Sequence, residues 1–555
     1  MLSTATDSVP AVITTDIATD APRRARARRA PFSIRLAQLR SLVGFAALLA
    51  LWTVLSLTVF SDGRTVPTPF AVARQMFNDR DFYGPHITTT LREAMLGYSW
   101  GVGAAVVLAV LFFLVPMIER TAMRLVIAVY CLPLIATGPV LSVTLKGDNP
   151  KAALAAQSVV FVTLIGVSLG LRSAQRTWLD VVHVAGGGRW QQLVKVRVRA
   201  ALPATFAGLK VAGPAAVLGA IIGEYLGQST RGLGVAMVAS QAGFHVPRTW
   251  GLAIVMTLLS AAIYAITAFV GRLLCPWEIV GTGGIEAPPP VRARSWWGRA
   301  LSHAAYFVAS IALIVGVWSL ALNWFALDSY FAKRTTDVWR YLFSVPAAAE
   351  NRSEILSALG ETLPDAALGY VVGTALAVVV ALVMVLWRPF EQMVMPVALA
   401  VRSIPLIAMT PLIALVFGRG LTTVLVITGT VTFFPSLVQL MDGLRSAPPQ
   451  AEAVIRAFGG SEARVLLMAR LPYALPSLFA AARITAPLAI LGTVLAEWLA
   501  TGTGIGDLMA QSAPMSAYNT LWACVVVLTA CSLVIYSIAA TLEGFVLRRF
   551  SQTGE

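Results

Sequence analysis

Residues 451–476, AEAVIRAFGGSEARVLLMARLPYALP, form a polar, basic stretch between long apolar runs. A second such stretch, LDVVHVAGGGRWQQLVKVRVRAALP, occupies residues 179–203, 272 positions earlier. In each, an acid (Asp180, Glu452) precedes a glycine (Gly187, Gly459) by seven positions, a second glycine follows at once (Gly188, Gly460), and Leu-Pro closes the segment. A short helix, a glycine turn and a second helix, set twice among apolar runs, point to elements offered to something in the cytosol.

Working outward, the flanking composition is that of a membrane protein. The chain is 57% hydrophobic and only 12% charged, with a mean hydropathy of +0.76, whereas a soluble domain carries about 25% charged residues. A bilayer core of about 30 Å takes about 20 apolar residues per helix. Runs near that length fall at 43–60, 94–115, 125–145, 152–171, 201–222 and 250–270, and again at 304–321, 366–387, 394–417, 421–440, 476–495 and 521–540. The expectation is an all-α integral membrane protein of about 12 spans. The formal charge of +15 is accounted for by loops holding Arg and Lys on the cytoplasmic side, which argues against nucleic acid as a partner. Between Arg172 and Lys210 there are seven basic residues and one acid, and Arg445, Arg456, Arg464 and Arg470 mark the later loop, so both termini are expected in the cytoplasm. The four cysteines lie in or beside apolar runs without metal or disulfide spacing, and the four histidines are scattered, so no metal site is expected.

The halves repeat in parallel. TLREAMLGY at 90–98 meets TLPDAALGY at 362–370 with six identities in nine, and PLIATGP at 133–139 meets PLIAMTP at 405–411 with five in seven, both at an offset of 272. Glu224 and Glu497 differ by 273. Six spans per repeat insert both halves the same way up. The division expected is a basic cytoplasmic tail over 1–40, a first unit of six spans over 41–275, a Pro-rich cytoplasmic linker over 276–300, and a second unit over 301–555.

These features resemble the permease of a bacterial ABC importer. The loop is similar to the family's Glu-Ala-Ala motif: the second copy keeps Gly459 and Leu471-Pro472, the first keeps Ala185, Gly187 and Gly188, and Glu452 stands one position early. The segments VPTP at 66–69, VRSIPLIAMTP at 401–411, DGLR at 442–445, EYLG at 224–227 with Gly232-Leu233-Gly234, and Glu497-Trp498 with Gly504-Ile505-Gly506 are similar to permeases of the nitrate, sulfonate, taurine and bicarbonate group. The resemblance implies a type I importer fold, usually made by two chains and here fused, in the cytoplasmic membrane of a bacterium. It further implies two ATPase subunits, an extracytoplasmic solute-binding protein, contact with membrane lipid, and ATP and Mg held by the ATPase.

On that resemblance, Asp180, Ala185, Gly187, Gly188, Arg189, Glu452, Ala457, Gly459, Gly460 and Arg464 are the expected ATPase-coupling residues. The acids suit helix N-termini and the glycines a tight exit turn. Pro133, Pro139, Pro405 and Pro411 break two equivalent helices and are path candidates. Lys210 and Arg483 are cations about seven residues into the fifth span of each half, a costly place unless they snorkel or line a wet path; with them goes the expectation of a small anionic solute. Glu224 and Glu497, at the far ends of the same spans, are candidates for an outer gate or a binding-protein contact. The chain has no GxxxxGK followed by Ser or Thr, so it lacks a phosphate cradle and is not expected to be an enzyme. The rival expectation is an ion-coupled secondary transporter with a 6+6 repeat, which would need acids within its spans.

Overall fold

The computed structural model describes residues 30–61, 65–132, 134, 137–138, 141–142, 145–226, 229–275, 296–324, 328–402, 406–512 and 514–551. Among these residues there are helices and connections and no strand. The first half runs α1 (Ala30–Thr58), α2 (Pro69–Asn78), α3 (Arg80–Leu114), α4 (Pro116–Cys131), α5 (Asn149–Arg172), α6 (Arg176–Val184), α7 (Arg189–Leu226), α8 (Leu233–Ala242) and α9 (Val246–Leu274). The second repeats it: α10 (Trp296–Trp324), α11 (Thr335–Phe343), α12 (Ala348–Leu386), α13 (Arg388–Arg402), α14 (Leu406–Phe417), α15 (Leu421–Arg445), α16 (Pro449–Ala457), α17 (Glu462–Thr501), α18 (Gly504–Ser512) and α19 (Tyr518–Ser551). Residues 276–295 of the expected linker lie outside the described residues.

Eight of these helices are long and apolar enough to cross a membrane: α3, α5, α7, α9, α12, α15, α17 and α19. The first span of each half is a shorter apolar segment, Leu42–Thr58 in α1 and Val308–Trp324 in α10. The third span of the first half is not one helix, as the prolines in its apolar run lead one to expect. In the first half α4 stops at Cys131, and Leu132 takes ψ 125°, the extended conformation that a following proline imposes on its predecessor. In the second half α13 ends at Arg402 and α14 starts at Leu406. Proline removes a helical donor and clashes with the preceding turn; residues 403–405, the matching place in the second half, lie outside the described residues. Hydropathy does not register such a break.

In each half the fourth span packs between the second and the fifth: α5 against α3 and α7, α15 against α12 and α17. Small residues permit the approach. A Cβ on Gly97 would stand 2.3 Å from the Ala155 Cβ, and one on Gly369 would stand 2.6 Å from the Thr428 Cβ. Gly101 and Gly373 follow four residues later with equally close neighbours, giving the small-xxx-small stripe by which membrane helices let their backbones meet. The halves also exchange arms. α1 lies against α13 of the second half, and α10 lies against α4 of the first, where the Ser310 hydroxyl donates to the Thr121 carbonyl at 3.3 Å.

Candidate coupling loops and carboxylate latches

The two basic loops fold alike. Each enters from a long helix fastened at its end by an ion pair, Arg172 to Glu119 in α4 and Arg445 to Glu391 in α13. A nine-residue helix follows, α6 or α16, then a glycine with φ +78° (Gly186) or +75° (Gly459), a left-handed conformation that favours glycine. The next glycine closes the turn: Gly187 N donates to Val182 O at 2.8 Å, and Gly460 N donates to Ile455 O at 2.9 Å. Each chain then enters the fifth span through one π turn, Leu193–Arg197 or Leu466–Arg470.

This geometry corrects the pairing of the two loops. α5 has 24 residues and α15 has 25, so from there to Glu224 and Glu497 the halves correspond at an offset of 273, not 272; the offset is again 272 at Leu233 and Ile505. Gly186 and Gly187 are the partners of Gly459 and Gly460, Gly188 is the partner of Ser461, and Asp180 is the partner of Ala453. Asp180 is exposed on α6. Glu452 matches Leu179 and is tied down: its carboxylate accepts from Arg470 Nε at 2.8 Å and Nη2 at 3.0 Å, and from Arg456 Nη2 at 3.0 Å. Arg456 Nε also reaches Glu462 at 2.9 Å. The Arg470 guanidinium holds the Glu452 carboxyl below the usual carboxylate range, with Arg456 adding to it. In the first half Arg197, the counterpart of Arg470, donates instead to the Leu171 carbonyl at 2.7 Å and lies 4.7 Å from the Phe113 ring centre. Ser461 caps the short helix after the turn by accepting from Arg464 N; Gly188 has no side chain to do so.

Both loops expose apolar side chains: Trp178, Val181, Val184 and Trp190 in the first, Val454, Phe458, Leu467 and Met468 in the second. Val184 and Phe458 are 88% and 86% exposed. Arg189, Arg464, Ala185 and Ala457 are exposed on the same loops. Large apolar side chains held open beside arginines give each loop an exposed apolar patch rimmed by charge.

At the opposite end of the fifth spans, Glu224 and Glu497 are each 1% exposed. Glu224 accepts from the Thr90 hydroxyl at 2.5 Å and from Gly234 N at 2.5 Å, while Leu233 N donates to Thr90 Oγ1 at 2.8 Å. Glu497 accepts from Gly506 N at 2.9 Å, and Ile505 N donates to Thr362 Oγ1 at 2.9 Å. Glu224 therefore pins α8 to the second span of its half, while in the second half Glu497 holds α18 to the fifth span and Thr362 holds it to the second. Buried as they are, these carboxyls latch the fold and offer no surface.

Lys210 and Arg483 occupy equivalent positions with different surroundings. Arg483 Nη1 lies 2.9 Å from Glu543 Oε2 on α19; the counterpart of Glu543 is Gly271, and Lys210 makes no ion pair among the described residues. Pro133, Pro139 and Pro405 lie outside the described residues, and Pro411 lies within α14. The seam between the halves, lined by Tyr130, Cys131 and Leu132 from one side and Pro487, Leu488, Ile490, Leu491 and Ser532 from the other, encloses a gap of about 10 Å³, room for about one water.

A family model described as binding-protein-dependent transport system inner membrane component matches twice, over residues 97–278 and 369–552. The chain belongs to that family. It is thus a multi-pass membrane permease subunit of the ABC transporter kind, with two copies of the permease domain in tandem in one all-helical chain of the type I plan. A probable ABC transporter permease protein of Haemophilus influenzae is 28% identical over 239 residues, covering 42% of this chain and 95% of that protein. The formylaminopyrimidine transport permease protein ThiX of Halalkalibacterium halodurans is 32% identical over 148 residues, 27% of this chain and 59% of its own length. The putative aliphatic sulfonates transport permease protein SsuC of Bacillus subtilis is 24% identical over 195 residues, 35% and 71% respectively. No solved structure matches. Permeases of this family work with an ATPase and a solute-binding protein.

The permease carries one charged cluster that the sequence reading passed over. Lys151 Nζ lies 2.7 Å from Glu93 Oε1 and 3.0 Å from Ser229 Oγ, with Glu93 fully buried beside the Glu224 latch. The second half has Asp365 and Thr423 at these places, and Thr423 donates to the Gly418 carbonyl. Glu93 and Lys151 are 58 residues apart on different helices, so nothing local joins them. The available signal was Asp365 recurring 272 residues after Glu93.

Proposed function

We propose that this chain forms the translocation path of an ATP-driven importer in the cytoplasmic membrane of a bacterium, with both termini and both basic loops in the cytoplasm. Two ATPase subunits, which hold the ATP and Mg, dock one on α6 and one on α16. Closure of the ATPase pair pushes the two knobs together and rocks the halves apart at the far end, where a binding protein releases the solute. ATP supplies the difference in affinity between the two states. The observation that carries this reading is the matched pair of loops, each rigidified by a glycine turn and a π turn and each holding apolar side chains open at the basic end.

The first loop presents Trp178, Val181 and Val184 among the exposed cations Arg176, Arg189 and Lys195 with the single acid Asp180, and the second presents Phe458 and Val454 beside an internally neutralised acid-arginine clamp. The two ATPase contacts are therefore unequal in chemistry. The solute is small. Its anionic character rests on Lys210, since Glu543 neutralises Arg483, and the names of the relatives span sulfonates and nitrate as well as riboflavin and formylaminopyrimidine. Uptake into vesicles holding the chain with its co-purified ATPase tests the proposal: it requires ATP and is blocked by vanadate. Uptake that persists with vanadate and collapses with the ion gradient would establish the secondary-transporter alternative, to which the buried Glu93 would then be relevant.

A further inference from the structure

Each half places a short amphipathic helix between its first and second spans, α2 in one and α11 in the other. One face of each is packed inward, through Val72 in α2 and through Val338 and Leu342 in α11. The opposite face is bare. Phe70 and Phe77 are 78% and 69% exposed, and Trp339 and Phe343 are 62% and 52% exposed; spacings of seven and four residues put each pair on one face. Basic groups accompany them. Arg74 lies on the Phe70–Phe77 face, the Arg80 guanidinium sits 5.4 Å from the Phe77 ring centre, and that of Arg352 sits 5.6 Å from the Phe343 ring centre.

The level of these helices is fixed by a matched pair of tryptophan stacks. Trp52 of α1 stacks on Trp250 of α9 at 5.3 Å, and Trp318 of α10 on Trp522 of α19 at 5.0 Å. Trp52 donates to Pro67 O and Trp250 to Thr65 O, in the chain that leads into α2; Trp522 donates to Phe331 O, shortly before α11. The apolar run of α9 from Trp250 to Val270 is roughly 31 Å long at 1.5 Å per residue, one hydrocarbon thickness. Tryptophans at the end of such a run occupy the headgroup level, and the two helices are laced to them.

We infer that α2 and α11 are interfacial anchors, which bury Phe70, Phe77, Trp339 and Phe343 among the lipid headgroups and upper acyl chains of the leaflet opposite the coupling loops, with the nearby arginines on lipid phosphates. The lipid class is phospholipid, preferentially anionic. The anchors hold the outer rim of each half at a constant depth while the halves rock. The residues differ between the halves, yet aromatic pairs next to arginines recur in both.

Spin labels on the full-length chain test this. Phe70→Cys, Phe77→Cys, Trp339→Cys and Phe343→Cys are made singly with Cys531→Ser; the other three native cysteines are buried. The labelled chain is placed in vesicles of phosphatidylethanolamine and phosphatidylglycerol, with Asp180→Cys as the aqueous reference and Leu258→Cys, exposed on α9, as the lipid reference. The expected ratio of oxygen to nickel-chelate accessibility at the four sites is several-fold above that at position 180 and below that at position 258. A ratio equal to that at position 180, or shielding from both reagents, overturns the inference, as does immobilisation of the labels only when the binding protein is added. Independently of labelling, the Trp339 emission, isolated as the difference between the parent chain and Trp339→Phe, is expected to be quenched more by lipid brominated near the headgroup than by acrylamide; the reverse order also overturns it.

Discussion

The two halves share a plan but tie their charges down at opposite ends. In the first, the buried charges sit far from the coupling loop, where Lys151 joins Glu93 and Ser229 beside the Glu224 latch. In the second, that position holds the uncharged Thr423, and the charge cluster lies in the coupling loop itself, as Glu452 with Arg456 and Arg470. A duplicated fold thus needs a fastened loop and a fastened latch in each copy, while the fastening is free to be ionic in one place and a neutral hydrogen bond or apolar contact in the other. The comparison also predicts that equivalent substitutions have unequal costs.

The largest effect is functional. Placing aspartate at Val181 and Val184, or at Val454 and Phe458, puts charge on the exposed docking face without touching the core, and either pair is expected to reduce ATP-driven uptake more than tenfold while leaving the melting temperature of the purified chain unchanged. Loss from only one pair would show that one loop alone carries the contact. Next, Lys151→Met leaves Glu93 buried and unpaired, at a cost of about 3–5 kcal/mol. Thr423→Val at the matching site costs about 1 kcal/mol. Thermal or denaturant unfolding in detergent measures both, and equal costs would remove the distinction between the halves.

Smaller effects test the corrected register. A Cβ at Gly460 would meet Ile455 Cγ2 at 2.5 Å and one at Gly187 would meet Val182 Cγ1 at 2.5 Å, whereas nothing lies within 4 Å at Gly188. Gly460→Ala and Gly187→Ala are each expected to destabilise by about 1–3 kcal/mol, and Gly188→Ala to be neutral. If Gly188 and Gly460 behaved alike, the offset of 272 would stand in the loops after all. The smallest effect is the pH response of the clamp. The Glu452 carboxyl is lowered from 4.5, so the stability it adds is complete above that pH and fades as pH falls through the lowered value. Limited proteolysis should therefore find the loop around 451–460 protected at pH 5 and more open in stronger acid. Glu452→Gln should remove the transition, at a cost of about 1 kcal/mol for a part-exposed pair.

Much of this was legible in the chain. Repeated Pro, Gly, Tyr and Glu in one register disclosed the duplication, and charge asymmetry between apolar runs disclosed the loops. The register within those loops was not legible, because Gly186-Gly187-Gly188 aligns with Gly459-Gly460 equally well at either offset, and the extra residue in α15 lies inside an apolar helix where composition hides it. The break after α4 was legible in Pro133, although a window of apolar residues gives little weight to the single proline that ends a helix. The interfacial helices α2 and α11 escaped because nine or ten residues of mixed polar and apolar character have no span-length signal. The Glu93–Lys151 pair escaped because long-range charge pairing is a property of packed helices.

The central claim is that α6 and α16 are two matched contacts for a nucleotide-hydrolysing partner. Single cysteines at Val181 and at Phe458, cross-linked in membranes with a short homobifunctional thiol reagent, test it most directly. Both positions are expected to give an adduct with the same co-purifying ATPase, and the yield at each should change when ATP and vanadate are added. Failure of both positions to reach any ATPase, in membranes that still show ATP-dependent uptake, would contradict the account.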